Sequence, residues 1–304
     1  MKPPRKPARK TDVALIGLGN WGTSLAAALN RARIPLSEVI VRRCKPSSPL
    51  PTVSWKNAAL DAPIFWLCVP DSAISDVAAQ IARHRPDLRG QIVIHSSGAL
   101  TVDALDRVRR AGAAVASIHP VMTFPTRDPV ALDGVLFGVE ASSPAARRTL
   151  HGIIHKLGGR HFDISSSNKA LYHAAGTLAS PLLVSHLAAA IETARLAGLD
   201  ARTAAQWVEA LATATARNLF ARGPSRSFSG PFSRGDTHTI HLHLQALQKH
   251  PILADVYRSL AVYALGALCV PNAQAFVEAL RTPAALKSDT APGKPPKRGS
   301  RMRN

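Results

Sequence analysis

Asp12-Val13-Ala14-Leu15-Ile16-Gly17-Leu18-Gly19-Asn20-Trp21-Gly22-Thr23-Ser24-Leu25-Ala26-Ala27-Ala28-Leu29 decides how the rest of the chain is read. An apolar, β-rich run, Asp12–Gly17, passes through a glycine turn into an Ala/Leu pattern, so strand, turn and helix follow one another without a spacer. The glycines fall at the spacing G-x-G-x-x-G, and each answers a different steric demand. Gly17 permits the tight turn, Gly19 lets the backbone come close to a pyrophosphate, and Gly22 allows the helix to pack tightly on the strand. A helix N-terminus also presents unpaired N–H groups and the positive end of its dipole, which suits phosphate. Residues Gly17, Leu18, Gly19, Asn20, Trp21 and Gly22 are therefore candidates for binding a dinucleotide.

Downstream, short β-rich runs alternate with helical ones, the pattern of a parallel sheet with crossover helices. Strands are expected at Glu38–Arg42, Ile64–Val69, Gln91–His95, Ala114–Ile118 and Leu136–Glu140, and helices at Trp21–Arg31, Ala73–His84, Asp103–Ala111 and Pro144–Leu157. About 20 residues past the last glycine, an NAD site would place Asp or Glu against the ribose hydroxyls. Arg42 and Arg43 stand there instead, and guanidinium groups can fork onto a 2′-phosphate, so NADP(H) is expected in preference to NAD(H). Val69-Pro70-Asp71 and His95-Ser96-Ser97-Gly98 end two further strands. In open α/β sheets ligands lie at the carboxyl ends of strands, which makes Val69, Pro70, Asp71 and Ser97 cofactor candidates by position; Asp71 and Ser97 are equally suitable helix N-caps. The Pro- and Ser-rich stretch Lys45–Pro51 reads as a surface loop beside that site.

After Ser165 the period becomes helical throughout, with helices expected at Asn168–Leu196, Ala201–Ala221, Asp236–Lys249, Ile252–Cys269 and Asn272–Leu280. Gly198, Gly223, Pro251 and Pro271 punctuate them. The expected domains are a dinucleotide-binding unit over 11–164 and an all-α unit over 165–283, flanked by basic tails at 1–10 and 284–304.

The 304 residues carry 38 Lys plus Arg against 19 Asp plus Glu, a formal charge of +19. Eleven of the basic residues lie in the two tails, and without the tails 27 basic and 18 acidic residues leave +9. Pro-, Gly- and Lys-rich ends bury too little apolar area to offset their ordering entropy, so they are expected to be disordered, and binding of nucleic acid through them ranks last among the functions considered. The remaining balance suits an anionic ligand. Three separated cysteines, Cys44, Cys68 and Cys269, argue for a reducing compartment, and a cytoplasmic location is expected. No apolar run of about 18 residues is apparent that would span a bilayer, and the basic start before Val13–Leu29 imitates a signal peptide only loosely.

Gly17–Gly22, Val69-Pro70-Asp71, His95-Ser96-Ser97-Gly98-Ala99-Leu100, Ser117-Ile118-His119-Pro120, Lys169 with Tyr172-His173-Ala174-Ala175, and Gly230-Pro231 with Arg234-Gly235-Asp236 together resemble the family that joins a Rossmann-like domain to a DUF2520 domain. The likeness runs from residue 11 to about 282. It implies an α/β, doubly wound parallel-sheet Rossmann domain followed by an all-helical C-terminal domain, similar in architecture to the 6-phosphogluconate dehydrogenase-like superfamily. It further implies an NAD(P)-dependent oxidoreductase whose helical domain forms a homodimer, with no established substrate.

Lys169 and His173 lie four apart on one helix face. β-Hydroxyacid dehydrogenases of the related superfamily carry a Lys and an Asn at this spacing, which implies catalytic roles here: Lys169 as general acid to a carbonyl or imine receiving hydride, His173 orienting substrate or sharing the proton. The family pattern reads Ala-Ser-Asn where this chain has Ala179-Ser180-Pro181, and a proline there removes a backbone donor and should kink the helix. Ser180, His119 at a strand end, Arg234 as a bidentate carboxylate clamp, and Asp236 are the substrate-binding candidates; Asp236 also reads as an N-cap. His238, His241 and His243 do not share one face and lack a completing ligand set, so no metal is expected. The expected function is a reductase or dehydrogenase acting on a small oxo, imino or hydroxy acid; the alternative is a non-catalytic NADP(H)-binding sensor or scaffold dimer.

Overall fold

The computed structural model describes residues 11–44, 50–268 and 270–281. The expectations for both tails and for most of the Lys45–Pro51 loop lie outside these residues. The described chain divides into two compact units that meet in sequence at Pro181/Leu182.

In the first unit, strand β1 (Val13–Ile16) is buried at every position. Val13 and Leu15 join one apolar cluster with Leu25 and Leu29 of helix α1 (Asn20–Arg31), while Ala14 and Ile16 join a second with Ile74, Ala78 and Ile81 of α2 (Ile74–His84). Both faces of the strand are covered, which is why the run reads as continuously apolar rather than alternating. The sheet continues through β2 (Leu36–Val41), β3 (Val53–Ser54), β4 (Ile64–Leu67), β5 (Ile92–His95), β6 (Ala114–Pro120), β7 (Leu136–Ala141) and β8 (Arg160–Asp163). Helices α3 (Asp106–Arg110) and α4 (Pro144–Lys156) complete the crossovers.

The strand order is β3-β2-β1-β4-β5-β6-β7-β8, and every pair is parallel except β6 and β7. The chain leaves β1 toward β2 on one side and resumes at β4 on the other, so the topological switch point of a doubly wound sheet lies at the carboxyl ends of β1 and β4. Strands β3 and β8 are absent from the sequence reading. β3 has two residues, and β8, Arg160-His161-Phe162-Asp163, is a mostly polar strand at a sheet edge, so neither carries an apolar run.

Helix α5 (Lys169–Ala179) belongs to the first unit, so the expected boundary at 164/165 moves to 181/182. Its first residue is buried against the sheet, which holds it to the strands rather than to the helices that follow. The single helix expected over 168–196 is broken. Ser180 has φ −128° and ψ −85°, and α6 (Pro181–Leu196) starts afresh at the proline. Contrary to the sequence reading, the run Ser166–Leu196 is long and apolar enough to cross a membrane, with mean hydropathy 1.5. It strings together a turn, Ser166–Asn168, and the separate helices α5 and α6, and α5 is anchored in the sheet by hydrogen bonds from Lys169.

The second unit is helical: α6, α7 (Ala201–Arg222), the single turns α8 (Pro224–Ser227) and α9 (Pro231–Arg234), α10 (Thr237–Ala246), α11 (Pro251–Ala267) and α12 (Ala273–Arg281). Its core gathers Ile240, Leu244, Ala261, Phe276 and Leu280, with Leu247, Leu253 and Ala254 in a smaller cluster.

Candidate functional site

The turn after β1 has the geometry its glycines foretell. Gly17 adopts φ +98°, and a Cβ there would fall on the Cys68 carbonyl oxygen; a Cβ on Gly22 would meet the Gly17 carbonyl oxygen. No other residue type fits either place without moving backbone. Gly19 is the N-cap of α1, has no side-chain cap, and a Cβ built on it would meet nothing within 4 Å. No acidic residue occupies the first turn of α1. The helix therefore offers its N–H groups and positive dipole end to open space on the glycine side, a cradle that fits a diphosphate.

Two motif side chains are spent on structure. Asn20 Nδ2 donates to the Phe124 carbonyl at 2.9 Å, and Trp21 Nε1 donates to Ser96 Oγ at 2.8 Å. Trp66 Nε1 donates to the same oxygen at 2.9 Å, and Trp21 packs on Phe124 with ring centroids 5.0 Å apart. Asn20 and Trp21 can contribute backbone to a ligand, but their side chains tie the turn to the β5 loop and to Phe124. Arg42 and Arg43 follow β2 and are exposed.

Beyond β4 and β5, Ser97 Oγ donates to Asp71 Oδ2 at 2.6 Å and accepts from the backbone N–H groups of Ala99 and Leu100. Neither residue is the N-cap expected of it, since Pro70 and Thr101 hold those places; the two side chains instead form one hydrogen-bonded bridge between the two loops. His95 is fully buried. Its Nδ1 accepts from the Ser97 N–H at 3.1 Å and its Nε2 donates to the Thr101 carbonyl at 3.1 Å, an arrangement that requires the neutral ring. Burial, reinforced by the Lys169 charge, pushes its pKa down to about 4.

Lys169 is 1% exposed. Its ammonium donates to Ser117 Oγ at 2.5 Å and to the Ser97 carbonyl at 3.2 Å, and lies 3.4 Å from Glu140 Oε2. Ser117 Oγ donates in turn to the Ser97 carbonyl at 3.1 Å. The other Glu140 oxygen accepts from Ser166 Oγ at 2.5 Å and from the Val102 N–H at 3.3 Å. Burial lowers the Lys169 pKa, with Glu140 opposing the shift. Two of the ammonium protons are taken by Ser117 and Ser97, and the Glu140 carboxylate lies at ion-pair distance. Lys169, expected as a general acid, is enclosed in this arrangement and ties α5 to the ends of β5 and β6.

One turn along the same face, His173 is half-buried beside His119, with ring centroids 5.9 Å apart. His119 Nδ1 lies 2.7 Å from Tyr172 Oη. Burial, with His173 and Lys169 adding to it, pushes the His119 pKa down to about 4, and burial raises Tyr172 to about 12. Gly98 makes room for both rings, since a Cβ there would stand 2.6 Å from His173 Cδ2 and 2.8 Å from His119 Nε2. Lys169, His173 and His119 are thus brought together around Ser97-Gly98, the first two on one helix face as their spacing suggested. Tyr172, Ser117, Glu140 and Gly98 were not among the sequence candidates. Tyr172 lies three residues after Lys169 on its helix face, and Glu140 is a carboxylate inside an otherwise apolar strand, so both left a readable signal.

Ser180 occupies the break between α5 and α6. Arg234 and Asp236 belong to the second unit. Asp236 caps α10, accepting from the Thr239 N–H at 3.0 Å and from Thr239 Oγ1 at 2.6 Å, and these hydrogen bonds, chiefly the hydroxyl's, lower its pKa. The N-cap that the sequence offered for Asp236 is formed, with both carboxylate oxygens taking part. His241 is bonded to Gln245 and His243 to Tyr257. Among the described residues no three metal-ligating side chains gather.

No curated protein matches the chain in sequence. Among solved structures, a Bacteroides fragilis protein provisionally assigned as an NADP oxidoreductase is similar at 23% identity and TM-score 0.68, covering 83% of this chain and 97% of its own. Plasmodium falciparum pyrroline carboxylate reductase with NADP bound is similar at 14% identity and TM-score 0.55, covering 92% and 99%. Aspergillus terreus reductive aminase in complex with NADPH and ethyl levulinate is similar at 14% identity and TM-score 0.59, covering 89% and 99%. At these identities the likeness establishes the fold. A Rossmann-like domain model matches residues 3–120, and the model of a domain of unknown function, DUF2520, matches residues 135–264. Between them the two matches take in well over half of the sequence, and the chain belongs to the family in which a Rossmann-like domain is joined to a DUF2520 domain.

Proposed function

We propose that the chain is an NADP(H)-dependent oxidoreductase acting on a small oxo, imino or hydroxy acid. The observation that carries this reading is the open N-terminal turn of α1, where Gly17 and Gly22 are sterically required and Gly19 faces empty space at the switch point of the sheet. The NADP(H) in the names of the structural neighbours supports it. In this reading the backbone of Gly17–Gly22 holds the diphosphate, Arg42 and Arg43 fork onto the 2′-phosphate, and the Val69-Pro70-Asp71 and Ser97 loops border the ribose and nicotinamide. From β1 the sheet steps through β4 and β5 to β6, three strand spacings or about 14 Å, which brings an extended dinucleotide toward His119 and His173.

When bound, the nicotinamide supplies or takes the hydride. The chain's own residues do the rest. Ser97, held by Asp71 and by Lys169 through its carbonyl, keeps the β5 loop rigid; His119 and His173 orient substrate; Lys169 positions the two strand ends. Preorganised groups of this kind favour reaction because they need no rearrangement as charge develops.

Thermal unfolding with NADPH, NADH and no ligand tests the reading. A ligand at 100 times its Kd stabilises the native state by about 2.7 kcal/mol. NADPH is expected to raise Tm by several degrees, NADH by less, and Arg42→Ala with Arg43→Ala to remove the difference. No rise with either nucleotide sinks the proposal.

The homodimer expected from the family is part of the same reading. Trp207, Leu211, Val262 and Tyr263 are exposed in the second unit, and α6, α7, α10 and α11 line an apolar cavity of about 690 Å³ that includes Trp207, Phe232 and Leu260. A patch of this kind is a liability on an isolated chain and suits a self-complementary contact. Sedimentation should give twice the chain mass, and Trp207→Glu with Val262→Glu should halve it.

A further inference from the structure

Lys169 is 1% exposed, with Ser117, Ser97 and Glu140 around its ammonium. His119, Tyr172 and His173 are titratable side chains gathered beside it at that end of the sheet. Two of them are already joined, Tyr172 Oη lying 2.7 Å from His119 Nδ1.

We propose that Tyr172 and His119 form a proton relay, in which Tyr172 hands its hydroxyl proton to His119 Nδ1 while the Nε2 proton of His119 passes to the substrate heteroatom. The inference rests on the oxidoreductase reading and extends it to residues that reading does not use as acids. As the carbon of a C=O or C=N bond accepts hydride, the π electrons of that bond move to its oxygen or nitrogen. That atom takes the proton from Nε2, Nδ1 takes the proton from Tyr172, and the tyrosinate is reprotonated by water. In the oxidising direction each proton moves the opposite way.

Four observations support it. Phenol is the stronger acid and imidazole the stronger base, so the short contact is Tyr172 O–H donating to Nδ1, which fixes the neutral ring with its proton on Nε2. Burial keeps His119 neutral down to about pH 4, so the ring carries a single N–H and not two. Gly98 stands beside the Nε2 edge, and any side chain there would collide with that nitrogen, a Cβ falling 2.8 Å from it, so glycine is what leaves the edge uncovered on that side. Tyr172 is itself held: its ring packs edge-on against His119 and Phe162, and its hydroxyl lies against Gly138, where a Cβ would come within 3.0 Å. The charged or titratable groups acting on His119 are His173 and Lys169 of α5, which oppose its protonation, and Asp71 beyond β4, which favours it.

The test reads the relay without turnover. Full-length protein carrying ¹⁵N-labelled histidine is titrated with NADPH and, separately, with 2′,5′-ADP, which has the adenosine half and no nicotinamide; His119→Gln assigns the signals. The expected result is an unprotonated Nδ1 and a protonated Nε2 on His119, His119 signals moved by NADPH but not by 2′,5′-ADP, and a mixture of both ring tautomers in Tyr172→Phe with less than threefold change in NADPH Kd. If NADPH binds and the His119 signals stay fixed, or if Nδ1 carries the proton, the relay is overturned while the cofactor reading stands. If neither nucleotide binds, the oxidoreductase reading fails and the relay falls with it.

Discussion

The Lys169 ammonium lies 3.4 Å from the Glu140 carboxylate, and the two side chains are 1% and 7% exposed. Lysine and glutamate are almost never enclosed to this degree unless each answers the other. The pair brings the first turn of α5 to the carboxyl ends of β5 and β6, where His119, Tyr172 and His173 meet.

Breaking the pair on one side leaves an uncompensated buried charge. Lys169→Met is therefore expected to lower stability by about 3–5 kcal/mol, and Glu140→Gln by a comparable amount. The double variant should cost less than the sum of the two single variants, because each change removes the charge the other leaves stranded. Urea unfolding of the three variants checks this, and strictly additive losses would mean that the two groups do not interact.

Stability should fall as pH drops from 6.5 to about 4. His95 and His119 have native pKa values near 4 against an ordinary 6.5, so in that window the unfolded chain takes up protons that the native state refuses. The stabilising effect of each neutral ring is complete above pH 6.5 and is lost as pH falls to about 4. For the fully buried His95 the loss is about 3 kcal/mol at 1.36 kcal/mol per pKa unit. Urea midpoints measured between pH 7 and pH 4 should show a shallower fall in His95→Gln.

Gly98→Ala is expected to be destabilising by about 1–3 kcal/mol, through overpacking against the two imidazoles. The nearest atom, His173 Cδ2 at 2.6 Å, belongs to a half-buried ring, so His173→Ala should recover part of the loss. A double-mutant cycle with no coupling between the two positions would contradict the packing described.

Asp236→Ala is expected to cost about 1 kcal/mol, the ordinary effect of losing a helix N-cap, with Asp236→Asn nearly neutral. Nucleotide-dependent changes in Tm should be the same in both variants as in the parent chain. A selective loss of turnover without loss of stability would return Asp236 to the substrate site.

Much of this architecture was legible because it is written locally. The four-residue apolar strand, the three glycines and the Ala/Leu helix each declare a backbone conformation from neighbouring residues alone, and β1, the turn and α1 follow in that order. The break at Pro181 was equally readable, since proline cannot donate the hydrogen bond that continues a helix. Strands β3 and β8 were not, because a two-residue strand and a polar edge strand carry no periodic apolar signal.

The sequence by itself determined the order of strands and helices, the glycine turn at the head of the sheet, and the placing of Lys169 and His173 on one helix face, because backbone sterics and side-chain period act over a few residues. Tertiary structure alone decided what those side chains do. Lys169 finds its oxygens 52 and 72 residues away, and Tyr172 finds His119 at a distance of 53 residues. Partners so far apart in the chain meet only once the strands have closed into a sheet, and that meeting encloses Lys169 and makes Tyr172, which had no role in the sequence reading, the neighbour of a neutral histidine.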